Sequence, residues 1–463
     1  METLIAIGAL VFLMFVAYRG FSVIMFAPVA AMGAVLLTDP AAVGPIFSGL
    51  FMEKMVVFVK LYFPVFLLGA IFGKVIEISG FAKSIVAAVI KLVGKERAIL
   101  SIVIVCAILT YGGVSLFVVV FAVYPFAAEM FRLSNIPKRL IPGTIALGAF
   151  TFTMDSLPGT PQIQNIIPTT FFKTNTYAAP VLGIVGAIFI FIVGITYLEW
   201  RRARALAKGE GYGENHINEP EPISEEDMPN PIIALLPLVV VGVMNKLFTG
   251  WIPDFYGDNF SIDLAHNNHA VAGQVKPVVA IWAVEMALLL GIATVLIFAF
   301  RTVASRFAEG TKSAIGGALL ASMNTASEYG FGAVIAALPG FLLIAEALRS
   351  IPNTLVNEAV TVTTLAGITG SASGGMSIAL ATMANEFIKS AQEHGIPLEV
   401  LHRVASMASG GMDTLPHNGA VITLLAVTGL THRVSYRDIF AITCIKTSAV
   451  FVVIAFYYLT GIY

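Results

Sequence analysis

Long apolar runs dominate this sequence and decide the class of protein that it encodes. Eight of them approach or exceed the roughly 20 residues that a helix needs to cross about 30 Å of bilayer hydrocarbon. They cover residues 4–18, 22–37, 56–78, 178–200, 232–248, 277–300, 314–338 and 439–459. Only 12% of the 463 residues are charged, against about 25% in soluble proteins. This composition predicts a multi-pass membrane protein, and it excludes a disordered chain, a nucleic-acid binder with basic patches and an ordinary soluble enzyme.

A polar segment near the middle of the chain separates two membrane halves. Residues 201–229 begin with Arg201-Arg202-Ala203-Arg204, contain several Pro and Gly residues and end in an acidic run. That composition is typical of a flexible linker. We therefore expect a first membrane half at 1–200, a linker at 201–230 and a second half at 231–463.

The positive charges near the spans predict the orientation, because Arg and Lys beside a span prefer the cytoplasm. The cluster at 201–208 places the linker inside. Further cations alternate to the same side, namely Arg19, Lys95, Arg97, Arg301, Arg306, Arg433 and Arg437. Each half then crosses the membrane an odd number of times, so the halves are inverted relative to each other and both termini are predicted to be periplasmic.

Matching motifs in the two halves indicate an internal duplication. Gly-Gly-Val-Ser-Leu at 112–116 matches Gly-Gly-Met-Ser-Ile at 374–378, and Met-Asp-Ser-Leu-Pro at 154–158 matches Met-Asp-Thr-Leu-Pro at 412–416. The pairs Ile-Pro and Gly-Phe also recur in the same order, and all four offsets lie between 258 and 262 residues. Odd-numbered tandem repeats are typical of secondary transporters with inverted repeats.

Each half is predicted to contain three spans, a re-entrant hairpin, a broken span and a final span. The hairpin tips are placed at 111–115 and 370–377, and the breaks at 155–162 and 413–419. Irregular backbone at membrane depth is tolerated only where protein or a water-filled cavity covers it. In such transporters the interrupted helices form the substrate site near the midplane.

Small residues at the two tips predict a site for an anion. Glycine permits close approach of the backbone to a ligand, serine adds hydroxyls, and restarting helices present free N–H groups to a carboxylate. The tip residues are Gly112, Gly113, Ser115, Ser371, Ser373, Gly374, Gly375 and Ser377. The tips and breaks carry no cluster of Arg or Lys, so we expect capture by backbone and hydroxyl groups. Packing of small residues between helices is the alternative.

Two aspartates occupy equivalent positions in the breaks. Asp155 and Asp413 are ionisable groups at membrane depth, where such residues are usually functional. They either couple transport to a proton or cation, or cap the helix that follows. The polar residues around them are candidate substrate contacts: Ser156, Thr160, Gln162, Thr414, His417 and Asn418. His417 suits proton coupling, because the ordinary pKa of histidine is about 6.5, or it is a structural histidine.

A polar stretch interrupts the seventh apolar run. Asn324-Thr325-Ala326-Ser327-Glu328 has an apolar counterpart in the first half. We expect Asn324 and Thr325 to contact substrate and Glu328 to take part in coupling, either as a buried proton acceptor or as a carboxylate bonded to its hairpin.

The motifs at 112–115, 154–158, 324–328 and 412–418, in this order, resemble those of the gluconate:proton symporter family, and most of all its D-3-hydroxybutyrate permease branch. The resemblance covers nearly the whole chain. It implies the ion transporter superfamily, a homodimer and an elevator-type mechanism. In that mechanism, hairpins and broken helices form the moving domain and the first two spans of each half form the scaffold.

The sequence therefore predicts an all-α polytopic transporter that moves a small organic acid anion, such as 3-hydroxybutyrate, with a proton across the bacterial inner membrane. The expected partners are the carboxylate, the proton, membrane lipid and a second copy of the chain; no cofactor, metal or nucleic acid is expected. A sodium-coupled carboxylate carrier or a Na⁺/H⁺ antiporter is the main alternative. An intramembrane aspartyl protease is a weaker one, because Gly410-Gly411-Met412-Asp413 does not match the Gly-x-Gly-Asp pattern.

Overall fold

Helices occupy most of the computed structural model, which describes residues 2–19, 21–94, 97–114, 116–214, 216–220, 228–263, 271–340, 351–416 and 418–463. The helices before the linker are α1 (Glu2–Tyr18), α2 (Val23–Thr38), α3 (Val43–Ile46), α4 (Met52–Ile78), α5 (Phe81–Val93), α6 (Ala98–Tyr111), α7 (Leu116–Leu133), α8 (Ile141–Ala149), α9 (Phe152–Asp155), α10 (Ile163–Phe172) and α11 (Pro180–Ala207). Those after it are α12 (Pro231–Tyr256), α13 (Val279–Ala304), α14 (Phe307–Ala337), α15 (Thr354–Thr369), α16 (Ala372–Glu393), α17 (Leu398–Ser409), α18 (Gly419–Thr428) and α19 (His432–Thr460).

Five helical stretches among the described residues are long and apolar enough to cross a bilayer. They are Pro40–Ile78, Pro180–Ala207, Pro231–Tyr256, Val279–Ala304 and His432–Thr460. Helices α1 and α2 are apolar but shorter, and α14 is 31 residues long but has no stretch as apolar as those of the five. The polar residues at 324–328 lie inside α14 and account for that difference. The chain is a helical membrane protein, as its composition predicts.

The helices form two packed groups. In one, α4 packs against α13 and α14, α12 against α13, and α2 against α1 and α14. In the other, α6 packs against α7 and α8, α15 against α16 and α17, and α11 against α19. The two groups meet mainly where α14 packs against α16 and α12 against α5. The helices that are interrupted or paired by short turns thus lie together. They are separate from the first three apolar helices of each half, which are α1, α2 and α4 and then α12, α13 and α14.

Two short strands depart from the all-helical prediction. In the loop between α12 and α13, β1 (Asn259–Ile262) pairs antiparallel with β2 (Val271–Gln274). This segment lacks a long apolar run, so its backbone groups pair between strands rather than along a helix. Phe260 of β1 lies with its ring centroid 5.3 Å from that of Trp282, which attaches the hairpin to α13.

The described part of the linker packs against the second helix group, contrary to the expected flexible chain. Lys138 Nζ donates to Ile217 O (2.9 Å), and Tyr124 Oη donates to Asn218 O (2.6 Å). Asn218 Nδ2 in turn donates to Ala426 O of α18 (2.9 Å). Specific hydrogen bonds to α7, to the segment before α8 and to α18 compensate the entropy of ordering this chain.

A buried carboxylate joins the last helices of the two halves. Asp438 of α19 is fully buried and accepts from Arg201 Nε (2.6 Å) and Tyr197 Oη (2.8 Å), both on α11. Arg139 Nη1 donates to its other oxygen at 3.3 Å, and Arg139 also pairs with Glu210 of the linker at 2.6 Å. One aspartate therefore holds α11, α19 and the start of α8 together.

Replacement of Asp438 by alanine is expected to destabilise the fold strongly, because two guanidinium groups lose a buried partner; breaking a buried pair costs about 3–5 kcal/mol. The melting temperature of the detergent-solubilised protein measures this. Glu199→Ala is the matched control, since its pair with Arg202 is 34% and 42% exposed and such pairs contribute below about 1 kcal/mol. Equal melting temperatures for the two variants would contradict the assigned role of Asp438.

Candidate functional site

The first break is a seven-residue non-helical segment, residues 156–162, between α9 and α10. Asp155, the last residue of α9, is 2% exposed, and its Oδ1 accepts from Ser156 Oγ at 2.7 Å. The hydroxyl of Thr160 turns back and donates to Thr153 O at 2.7 Å. Both hydroxyls that the sequence predicts as substrate contacts here thus donate hydrogen bonds to residues of α9.

Side chains of α17, a helix of the opposite half, support this break from one side. Arg403 is fully buried, and its guanidinium donates to Asp155 O (3.0 Å) and Ala178 O (2.8 Å). Ser406 Oγ also donates to Asp155 O, at 2.8 Å. These donors satisfy carbonyl groups at the end of α9 and before α11, which have no helical partner of their own.

Asn165 and His402 complete this support. Asn165 Nδ2 donates to Thr160 O (3.0 Å) and Thr176 O (2.8 Å), and its Oδ1 accepts from Arg403 Nη1 at 3.1 Å. His402 Nε2 lies 3.2 Å from the same oxygen. The sequence prediction did not include Arg403, His402 or Asn165, although charged or polar residues in an apolar segment are a signal for such a role.

The tip of the first hairpin is docked on the first break. Gln162 Nε2 donates to Thr110 O at 2.7 Å, and Tyr111 Oη donates to Pro158 O at 2.9 Å. Gly112 ends α6, and Gly113 has a φ of +94°, a conformation that glycine adopts without strain. Ser115, a predicted substrate contact, lies outside the described residues.

The second break runs between Ser409, the end of α17, and Gly419, the start of α18. Asn418 caps α18, because its Oδ1 accepts from the backbone N–H groups of Ala420 (2.7 Å) and Val421 (2.9 Å). Its Nδ2 donates to Gly370 O at the second hairpin tip, at 2.7 Å. Asn418 and Gln162, 256 positions apart, thus make the same kind of contact to the hairpin of their own half. His417 lies outside the described residues.

Neither aspartate of the breaks is the N-cap of the following helix. The N-cap position is Gln162 for α10 and Asn418 for α18. Asp413 instead forms an ion pair with Lys446 of α19, with Oδ1 and Nζ 2.5 Å apart. Its neighbour Thr414 lies with Oγ1 2.6 Å from Thr443 Oγ1, also on α19. The capping alternative for the aspartates is therefore wrong.

The two breaks lie against each other. A methyl group added at Gly410, the first residue after α17, would collide with Asp155 Oδ2. Lys446 Nζ links the second break to the turn between α8 and α9, because it donates to Phe150 O (3.1 Å) as well as to Asp413. The Asp155 carboxylate also lies close enough to Lys446, Asp413 and Arg403 to interact with their charges. Two buried cations from α17 and α19 thus lie beside the aspartates, in addition to the expected backbone and hydroxyl groups: Lys446 pairs with the Asp413 carboxylate, and Arg403 donates to the Asp155 carbonyl.

The remaining predicted residues gather where α14 packs on the second hairpin. Glu328 is 2% exposed, and a methyl group at Gly374 would collide with its carboxylate. Thr325 Oγ1 lies 3.2 Å from Ser373 Oγ, while Ser371 Oγ accepts from Gly374 N at 3.1 Å as the N-cap of α16. The tip is shorter than predicted: Gly374, Gly375 and Ser377 lie inside α16, because Ser371 already starts the helix.

Several oxygens at this contact lack a hydrogen-bond partner among the described residues. They are Asn324 Oδ1, Ser327 Oγ, Glu328 Oε2 and Ser377 Oγ. Both carboxylate oxygens of Glu358 on α15 also lack one within the part of the chain that the structure describes, and Glu358 is fully buried. The sequence prediction passed over Ser327 and Glu358. A glutamate inside an apolar run is the signal that points to Glu358.

The comparisons with known proteins agree with this architecture. Residues 58–250 match the GntP family permease pattern. The chain is 60% identical over 471 residues to a protein of Bacillus subtilis (strain 168) named uncharacterized transporter YxjC, with 100% of both chains covered. The chain belongs to the GntP permease family. This GntP permease is a transporter rather than an enzyme, which removes the protease alternative for Asp155 and Asp413.

Two solved transporters share the fold at low sequence identity. The YdaH transporter of Alcanivorax borkumensis is 14% identical, with a TM-score of 0.52 over 92% of this chain and 90% of that one. MtrF of Neisseria gonorrhoeae, from a class of antimetabolite efflux pumps, is 13% identical, with a TM-score of 0.54 over 87% of this chain and 82% of that one. At these identities the likeness concerns the fold alone.

Gly375 serves helix packing, and its replacement by alanine is expected to destabilise the second hairpin. An added methyl group would meet the backbone of Ala366 on α15, which cannot move aside as a side chain can. Overpacking of this kind costs about 1–3 kcal/mol, seen as a lower melting temperature. Gly316→Ala on α14 is the control, because nothing lies within 4 Å of its added methyl group. A stable Gly375→Ala protein that fails only to bind substrate would instead favour a ligand-contacting role.

Proposed function

We propose that this GntP permease is a proton-coupled symporter of a small organic acid anion, with 3-hydroxybutyrate or a similar short hydroxy-monocarboxylate as substrate. The observation that carries the proposal is the balance of charge at the two breaks. Asp155 and Asp413 face Lys446 and Arg403, and both aspartates and both cations are at most slightly exposed. The formal charges sum to zero when all four groups are ionised. An anion that enters such a buried site alone leaves an uncompensated charge, which is costly.

A proton taken up by one aspartate restores this balance. The site then carries one positive charge in excess, which matches a monocarboxylate, and the loaded site is neutral again. A neutral site moves through the low-dielectric bilayer at less cost than a charged one. Proton symport of a monoanion therefore follows from the groups that meet at the breaks.

The arrangement of the helices supports an elevator-type mechanism with inverted repeats. In both halves three apolar helices (α1, α2 and α4; α12, α13 and α14) come before a helical hairpin, a broken helix and a long final helix. The hairpins, broken helices and final helices pack together, apart from α1, α2, α12 and α13. In our proposal the hairpins, broken helices and final helices move, and α1, α2, α12 and α13 form the scaffold of a homodimer in the inner membrane. The linker is cytoplasmic and both termini are periplasmic.

Sodium coupling is the second candidate, and the oxygens around Glu328 favour it. Na⁺ is a hard cation that takes oxygen ligands, and at 324–328 and 373–377 four oxygens have no partner among the described residues. This contact, which is between α14 and α16, joins the two helix groups. A cation bound there would hold the hairpin against the scaffold.

Uptake of isotope-labelled D-3-hydroxybutyrate into proteoliposomes tests the proposal. With acid outside, wild-type protein is expected to accumulate it about tenfold per pH unit, because one proton moves with each anion. Parallel vesicles with a Na⁺ gradient and no pH gradient separate the two candidates. Accumulation driven by Na⁺ alone would overturn proton coupling.

Asp413→Asn and Asp155→Asn are expected to differ from the charge-matched control Asp39→Asn, whose side chain lies in an exposed turn before α3. Loss of pH-driven accumulation in Asp413→Asn or in Asp155→Asn assigns coupling to that aspartate. The control is expected to transport as wild type does. Unchanged accumulation in both variants would show that neither aspartate couples.

A further inference from the structure

Lys446 lies in the middle of a membrane helix, where a cation needs a partner. It is the fifteenth of the 29 residues of α19 and 2% exposed. Fourteen residues, or about 21 Å of helix, separate it from either end. Lysines near helix ends extend to water at the membrane surface, but the side chain of Lys446 is too short to reach it. The ammonium therefore depends on what lies beside it.

The partner of Lys446 is a carboxylate in a non-helical segment. Among the described residues, Nζ donates to Asp413 Oδ1 and to Phe150 O. Asp413 belongs to the non-helical second break, and its side chain is 13% exposed. Its neighbours Met412, Leu415 and Pro416 are also half-buried, whereas Asp155 and its neighbours Met154 and Ser156 are all buried. The surroundings of Asp413 are thus more exposed than those of Asp155, so we expect an incoming carboxylate to approach from the Asp413 side.

The other ionisable groups near Asp413 leave this exchange possible. Asp155 on α9 and Tyr436 on α19 lie close enough to Asp413 to interact with its charge, and Arg403 on α17 interacts in the same way with Asp155. Arg403 is already occupied by backbone carbonyls and Asn165. Glu358, the ionisable group of α15, is nine residues before Gly367, which packs against Met412. Among the described residues at the two breaks, Lys446 is the buried cation that forms an ion pair with a carboxylate.

We propose that Lys446 binds the carboxylate of the transported acid and that Asp413 releases it by taking up the co-transported proton. In the empty state Asp413 neutralises Lys446. A proton from the aqueous side adds to the Asp413 carboxylate, the ion pair opens, and the substrate carboxylate takes the place of Asp413 at Nζ. No other bond changes, and the total charge of the site stays constant. The inference rests on the proposed function, since it names the groups that carry it out.

The competition has a measurable consequence in counterflow, an exchange that needs no net proton movement. With isotope-labelled D-3-hydroxybutyrate, the wild-type half-saturation concentration is expected to rise with pH, because ionised Asp413 competes for Lys446. Asp413→Asn is expected to exchange with a half-saturation concentration that is independent of pH between 5.5 and 8. At pH 8 that concentration is expected to be at least tenfold below the wild-type value. A half-saturation concentration that keeps the wild-type dependence on pH in Asp413→Asn would overturn the proposal.

Variants of Lys446 test the binding role directly. Lys446→Met is expected to lose counterflow at least 100-fold, while Lys446→Arg keeps the charge and retains it. The double variant Lys446→Met/Asp413→Asn removes both charges, so it leaves no unpaired buried ion. Its elution as a single species from a size-exclusion column is the control for folding. It too is expected to bind no substrate. Full counterflow in Lys446→Met or in the double variant would contradict the assignment.

A second measurement separates this inference from the choice of substrate. Should wild-type protein not exchange 3-hydroxybutyrate, the proposed substrate is wrong, and the melting temperature is then followed with acetate, gluconate and D-3-hydroxybutyrate. Stabilisation of the wild type by any of the three, and its loss in Lys446→Met, supports the lysine as the carboxylate site. Stabilisation of neither protein, or of both equally, overturns it.

Discussion

A bilayer interior holds no water for the groups that a broken helix exposes, and this constraint organises the whole second helix group. Each interruption leaves carbonyl and N–H groups that protein atoms must satisfy. Arg403 and Ser406 donate to the carbonyl of Asp155, and Asn418 accepts from the start of α18. The breaks and the helices that surround them therefore depend on each other for stability.

The support for the first break comes largely from the opposite half, whereas the second break is held by its own half, which makes a duplicated frame chemically asymmetric. Arg403 and His402 of the second half hold the first break, and the corresponding positions of α8, near residue 145, are apolar or small. When the final helices of the two halves are aligned in sequence, the position of Lys446 likewise corresponds to an apolar stretch of α11. Similar backbones thus surround one site with different charges, as a transporter of one substrate requires.

Particular residues show where prediction from sequence succeeded and where it failed. The first break, predicted at 155–162, ends where α10 begins at Ile163, because helix starts depend on local signals such as the preceding Pro and Gln. The second tip was placed too far along the chain, since the Ser371 cap starts α16 before the glycines. Lys446 and Arg403 were missed, because each is a lone cation in an apolar context and its partner is distant in sequence.

The sequence by itself determines that this is a membrane protein, where its helices are interrupted and which carboxylates lie at the interruptions. These properties follow from local composition and periodicity, which act over a few turns of chain. Only the tertiary structure decides which charges meet. The pair between Asp413 and Lys446 spans 33 residues, and the contact between Arg403 and Asp155 spans 248. Such pairs form because the bilayer makes any unpaired ion costly, and that cost is met by whichever groups the packing of the two halves brings together.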